Sequence, residues 1–111
     1  MCGINGILRL GPDAPLVEPE VALRTRDAMA MRGPDGEGLW VSPDGMIALG
    51  HRRLAIIDLS ETGAQPMAYD GGRYRLVFNG EIYNYKELRD GLERDGARFT
   101  STSDSEVILA L

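Results

Sequence analysis

Apolar residues at Ile4, Ile7, Leu8 and Leu10 form a short run that stops at Gly11-Pro12-Asp13, predicting a strand that starts almost at the N-terminus with its first residues buried. From Pro19 to Arg32 the pattern changes. Val21, Ala28 and Met29, with Thr25 between them, fall at helical spacing; Pro19 suits a first turn and Gly33-Pro34 closes the helix. Leu39-Trp40-Val41 and Met46-Ile47-Ala48-Leu49 flank Ser42-Pro43-Asp44-Gly45, where Pro and Gly occupy turn positions, so a hairpin is expected. Ala55-Ile56-Ile57 and Tyr74–Phe78 read as further strands.

Asn84 followed by Glu87 has the form of a capping box, Tyr85, Leu88 and Leu92 make one apolar stripe, and Gly96 stops the pattern after Asp95. An amphipathic helix is expected there. Ser103 and Glu106 make a second box ahead of Val107-Ile108-Leu109-Ala110-Leu111, a run with no basic last turn, glycine or proline to close it. The expectation is a helix cut short within a longer protein. The competing reading is a short frayed terminal helix packed on the body.

Composition bounds the answer without naming it. The chain has 111 residues, 43% hydrophobic and 26% charged, which suits one domain or part of one rather than a disordered segment. No repeat or low-complexity tract interrupts it. With 17 acidic against 12 basic residues the net charge is −5, and no basic cluster is long enough to follow a phosphate backbone, so nucleic acid is not expected as a partner. No run approaches the roughly 20 apolar residues of a membrane span, and the start lacks the features of a signal peptide. No membrane partner and a cytoplasmic, reducing location are therefore expected. Fourteen glycines, nearly double the usual ~7%, point to many turns and close backbone approaches.

The only cysteine is Cys2. Loss of Met1 would put a thiol and a free α-amine on one residue, and an unperturbed α-amine, with a pKa of about 7.7–8.0 against about 8.5 for a thiol, can take the thiol proton near neutrality. Nucleophile and base then need no separate histidine. A lone cysteine is otherwise an inert small hydrophobe, and that alternative stays open. Arg32-Gly33-Pro34-Asp35-Gly36 is readable as a tight turn. His51-Arg52-Arg53-Leu54 is either a solvated strand edge or a place where one arginine forks onto a carboxylate. Asn79-Gly80 is a hairpin turn by default and an oxyanion site by chemistry, since an amide NH2 and an adjacent glycine N–H can share one developing negative oxygen. Asp104 suits the positive end of a helix.

Together, Met1-Cys2-Gly3-Ile4, Arg32-Gly33-Pro34-Asp35-Gly36, His51-Arg52-Arg53-Leu54-Ala55-Ile56-Ile57-Asp58, Gln65-Pro66-Met67, Phe78-Asn79-Gly80-Glu81-Ile82-Tyr83-Asn84 and Ser103-Asp104-Ser105-Glu106-Val107-Ile108 resemble the class II glutamine amidotransferase domain of glutamine-hydrolysing asparagine synthetases. Order and spacing match along essentially the whole chain. The resemblance implies an α+β, N-terminal-nucleophile hydrolase αββα sandwich, incomplete here, with residues 1–111 as the first part of the domain. It implies glutamine as substrate, Cys2 as nucleophile, and Asn79 with the Gly80 N–H as oxyanion donors. Arg53 is implied as the clamp for the α-carboxylate, Glu81 and Asp104 as partners of the α-ammonium, and Leu54 and Ile56 as backbone lining. No metal or cofactor is expected in this segment. ATP, Mg²⁺ and aspartate are implied for a synthetase domain outside it, which turns the released ammonia into asparagine; a homodimer of the full-length protein is one option for its assembly. A domain serving a different acceptor, or a fragment without catalysis, are the alternatives. One departure is Met31, where the family usually has a histidine before Arg-Gly-Pro-Asp.

Overall fold

The computed structural model describes residues 1–111 and is an α+β arrangement of two small antiparallel sheets and three helices. The elements are β1 (Gly3–Leu8), α1 (Pro19–Asp27), β2 (Gly36–Val41), β3 (Ile47–Arg53), β4 (Met67–Tyr69), β5 (Tyr74–Leu76), α2 (Tyr85–Arg94) and α3 (Ser105–Ala110). No helix is long and apolar enough to cross a membrane.

The main sheet has the order β1-β3-β2; the expected β2–β3 hairpin forms, pairing Val41 with Ala48, and Ser42 N–H donates to the Ile47 carbonyl at 2.8 Å to close the turn. Because side chains alternate along a strand, β3 serves two layers. Ala48, Gly50 and Arg52 face α1: Ala48 packs with Val17 and Ala22, and Arg52 pairs with Asp27 and Glu37. His51 and Arg53 face the other way, into a cleft.

Helix α1 starts at Pro19 as expected but ends at Asp27, after which isolated turns carry the chain to Arg32. Its buried face is also rotated from the expected stripe. Ala22 and Arg26 are buried, while Thr25 and Ala28 are exposed. Two contacts explain the rotation: small Ala22 allows the helix to meet Ala48, and Arg26 is neutralised where it lies by Asp27 at 2.8 Å and Glu37 at 3.4 Å. Strand β1 stops at Leu8, not Leu10, and its beginning is less covered than expected, with Met1 72% exposed and Ile4 also exposed.

Two expected strand features are absent, for one reason: side chains take the N–H groups a ladder would have used. Ala55-Ile56-Ile57 is a loop in which Leu54 N–H meets the Cys2 sulfur and Ala55 N–H donates to Asp35 Oδ2 at 3.0 Å. Asn79-Gly80 is not a hairpin turn, because β5 ends at Leu76, Phe78 N–H donates to Gln65 Oε1 at 2.6 Å and Ile82 N–H to Asp104 Oδ2 at 2.9 Å. The capping boxes do not form as such either. Asn84 makes no capping bond, and Glu106 reaches back to Thr100 and Ser101, leaving Ser103 to accept from Ser105 N–H at 3.2 Å.

Candidate functional site

An open cleft of about 340 Å³ lies between the β1–β3 end of the main sheet, the loop after β3 and the segment that leads from β5 to α2. All eight residues singled out from the sequence line it: Cys2, Arg53, Leu54, Ile56, Asn79, Gly80, Glu81 and Asp104. They come from four separate stretches of chain. Met31 is 95% exposed and not among the lining residues, so the departure there leaves the cleft wall untouched.

Cys2 precedes β1, and its sulfur rests on the peptide of Leu54, 3.3 Å from that N–H and 3.6 Å from the carbonyl to which the thiol donates. Arg32 Nε donates to the Cys2 carbonyl at 3.2 Å, holding the residue from the opposite side. The Arg32–Gly36 motif thus does more than turn. Asp35 N–H donates to the Arg53 carbonyl at 2.9 Å, and Gly33 lies so close to β3 that a Cβ there would sit 2.3 Å from the Arg52 carbonyl carbon. The motif braces the strand end that carries Arg53 and Leu54.

The two adjacent arginines have opposite duties. Arg52 is held by Glu37 and by the Gly33 carbonyl on the α1 side. Arg53 enters the cleft, where its guanidinium donates to the carbonyls of Asp58 and Ser60, the latter at 2.7 Å. A guanidinium has five N–H donors in a planar fork, so this tether fixes its orientation and leaves donors to spare. Across the site, Asp104 is buried and accepts from Ile82 N–H, which ties α3 to the residue after Glu81. One cleft therefore holds a thiol, a cation and three carboxylic residues, Asp58, Glu81 and Asp104.

Three further residues support this geometry, although no role could be read for them from the sequence. Gln65 is buried and bridges two walls, accepting from Phe78 N–H and donating to Ser105 Oγ at 3.3 Å. Asp58 accepts from Ser60 N–H at 2.8 Å, Ser60 Oγ at 2.6 Å and Thr102 N–H at 2.9 Å, pinning the loop after β3 to the start of α3. Burial alone would lift its carboxyl, but the Ser60 and Thr102 bonds outweigh that and hold it well below the ordinary carboxylate range. His51 is 1% exposed and held below the ordinary imidazole value by burial, with the Phe78 backbone opposing and the Arg53 charge adding to the shift. Both Gln65 and Asp58 lie inside motifs of the sequence, which is the signal that marks them. No cluster of three or more His, Cys, Asp or Glu side chains is placed to hold a metal ion.

Known proteins resemble the chain over its full length. Asparagine synthetase [glutamine-hydrolyzing] 1 of Bacillus subtilis (strain 168) is 43% identical over 111 residues, covering 99% of this chain and 17% of that protein. A putative asparagine synthetase [glutamine-hydrolyzing] 2 of Methanocaldococcus jannaschii is 42% identical over 127 residues, covering 100% of this chain and 24% of its own length. Amidase chry2 of Gibberella zeae is 38% identical over 120 residues, covering 100% of this chain and 18% of that protein. The chain thus spans between a sixth and a quarter of these relatives. A family model described as a glutamine amidotransferase domain matches residues 1–111, and with every motif that lines the cleft inside that match, the chain belongs to the glutamine amidotransferase domain family.

Proposed function

We propose that this cleft hydrolyses glutamine to glutamate and ammonia. The observation that carries the reading is one cleft, in a member of this family, that holds the thiol of Cys2 together with Arg53, Asn79, Glu81 and Asp104. Removal of Met1, which stands exposed at the cleft, frees the Cys2 α-amine. That amine takes the thiol proton, and the sulfur attacks the side-chain carboxamide carbon. Asn79 and the Gly80 N–H donate to the tetrahedral oxyanion, where loss of one such donor costs about 3–4 kcal/mol of barrier. The amine returns the proton to the leaving nitrogen and ammonia departs. Water then hydrolyses the γ-glutamyl thioester, giving glutamate and restoring the thiol.

The zwitterionic end of glutamine explains the rest of the lining. Arg53 pairs with the α-carboxylate as a preoriented fork, Glu81 and Asp104 accept from the α-ammonium, and the backbone at Leu54 and Ile56 lines the pocket. In this reading the fold is the αββα sandwich of N-terminal-nucleophile hydrolases, with the main sheet as part of one layer. The ammonia, in this reading, serves ATP-dependent conversion of aspartate to asparagine in a further domain; what supports it is that the Bacillus and Methanocaldococcus relatives are named as glutamine-hydrolysing asparagine synthetases, the second of them as putative. A different acceptor is the second reading, favoured by the Gibberella relative named as an amidase.

Incubation of the full chain with a diazo-ketone analogue of glutamine tests the proposal. Mass spectrometry should find loss of Met1 and one adduct on Cys2, blocked by excess glutamine. A processed chain that takes no adduct would refute it.

A further inference from the structure

Arg53 is the one arginine or lysine that lines the cleft, and no ion pair of the chain includes it. Its guanidinium is met instead by the carbonyls of Asp58 and Ser60, which orient the planar fork without neutralising it. The turn that carries those two carbonyls therefore decides where the charge stands.

That turn is closed by its own side chains. Asp58 Oδ1 accepts from Ser60 N–H at 2.8 Å and from Ser60 Oγ at 2.6 Å, while Oδ2 accepts from Thr62 Oγ1 at 3.3 Å and from Thr102 N–H at 2.9 Å. The buried carboxylate is thus spent on N–H and O–H donors and not on Arg53. Its bond to Thr102 leaves the turn, because Thr102 shortly precedes Asp104, whose carboxylate holds Ile82 N–H at 2.9 Å. One side chain therefore ties the turn around Arg53 to the wall that carries Asp104.

The turn ends at Gly63, which is buried against the same guanidinium. A Cβ at this position would collide with Arg53 Nη2 and stand 3.0 Å from Asp58 Cβ and 3.1 Å from Asp58 Cγ. Room, not backbone freedom, is what glycine supplies here.

We propose that Asp58 and Gly63 are positioning residues for Arg53: the carboxylate closes the turn round the guanidinium and fixes it relative to Asp104, and the glycine leaves the space in which the guanidinium lies. A fork released from this turn keeps its charge but loses the fixed orientation that paired binding of a carboxylate requires. The ligand so held is the α-carboxylate of a free amino acid, an identity that rests on the glutaminase reading.

The test uses the full chain, with its single thiol as reporter. Labelling of Cys2 is followed with the diazo-ketone analogue of glutamine, with the same molecule lacking its α-carboxylate, and with iodoacetamide. Wild type, Asp58→Asn and Gly63→Ala are compared, each below its thermal midpoint. In the wild type the carboxylate should lower the concentration that gives half-maximal labelling. In both variants the concentration of the full analogue should rise about tenfold to hundredfold, the scale of one charge-assisted hydrogen bond, with its limiting rate little changed and the other two probes reacting as they do with wild type. Variants that keep the preference for the carboxylate, or that lose reactivity toward all the probes alike, would overturn the proposal. If Asp58→Asn does not fold, Gly63→Ala decides, because its Cβ first meets the movable end of Arg53; failure of both to fold would make the turn a folding element and overturn the proposal as well. A wild type that iodoacetamide alkylates but that shows no preference for the carboxylate would sink the glutaminase reading. A preference that both variants retain would sink this inference alone.

Discussion

The N–H of Leu54 points at the sulfur of Cys2 across 3.3 Å, joining the first residues of the chain to the end of β3. The contact seats the sulfur against the strand end that carries Arg53, inside the cleft that also holds Asn79 and Asp104. In a longer protein that carries the proposed synthetase domain, Cys2→Ala should abolish glutamine-dependent product formation while leaving synthesis from free ammonia intact. Parallel assays with glutamine and with ammonium salts check this; equal loss of both would argue against the nucleophile.

Arg53 carries two loads, the loop carbonyls of Asp58 and Ser60 and, in the proposed function, the α-carboxylate of glutamine. Lysine keeps the charge but loses the planar fork. Arg53→Lys should therefore raise KM for glutamine by about tenfold or more, equivalent to one charge-assisted bond of about 1.5–3 kcal/mol, and change kcat less. Steady-state kinetics reads the split. A KM equal to the wild type would remove Arg53 from substrate binding.

The β2–β3 hairpin was legible because a turn with Pro and Gly between two apolar runs is a local signal; the order β1-β3-β2 was not, because the pairing of β1 with β3 joins residues far apart in the chain, from Gly3 with Arg52 to Leu8 with Ile47. The cleft was not legible from spacing. Ala55–Ile57 and Asn79-Gly80 carry strand and hairpin patterns, but distant side chains, Asp35 and Cys2 in one case and Gln65 and Asp104 in the other, claim the N–H groups. Those contacts join residues tens of positions apart, beyond any local periodicity. The candidate residues that line the cleft were singled out by their motifs' order along the chain, not by the elements assigned to them. Strand β4 was missed because three residues, Met67–Tyr69, are too short to show alternation.

Gln65 offers a separate check on how the Asn79 segment is held. Leucine at this position fills similar space but leaves Phe78 N–H without its acceptor and Ser105 Oγ without its donor. A buried group left unpaired costs about 1–3 kcal/mol. Gln65→Leu should lower the thermal midpoint accordingly and reduce kcat, while Gln65→Glu, which still offers an acceptor to Phe78, should recover part of both. Equal melting of Gln65→Leu and wild type would show that the bridge contributes nothing.

Asp58 makes the fold's stability depend on pH in acid. Its carboxylate accepts from Ser60 and Thr102, so its folded-state pKa lies below that of the unfolded chain. A depressed carboxyl stabilises the fold fully above the unfolded value of about 3.9, and the contribution drains away as pH falls from there through the folded value. Glu106, held down against burial by Ser101 and Thr100, acts in the same direction. Asp58→Asn removes the first of these terms and replaces an acceptor-only group with an amide that cannot receive every bond. The variant should be less stable than wild type near neutrality, by about 1–3 kcal/mol, and the gap should narrow on acidification below about pH 4. Urea unfolding at a series of pH values measures it. A gap that stays constant from neutrality into acid would mean that Asp58 is not the titrating anchor between the loop after β3 and α3.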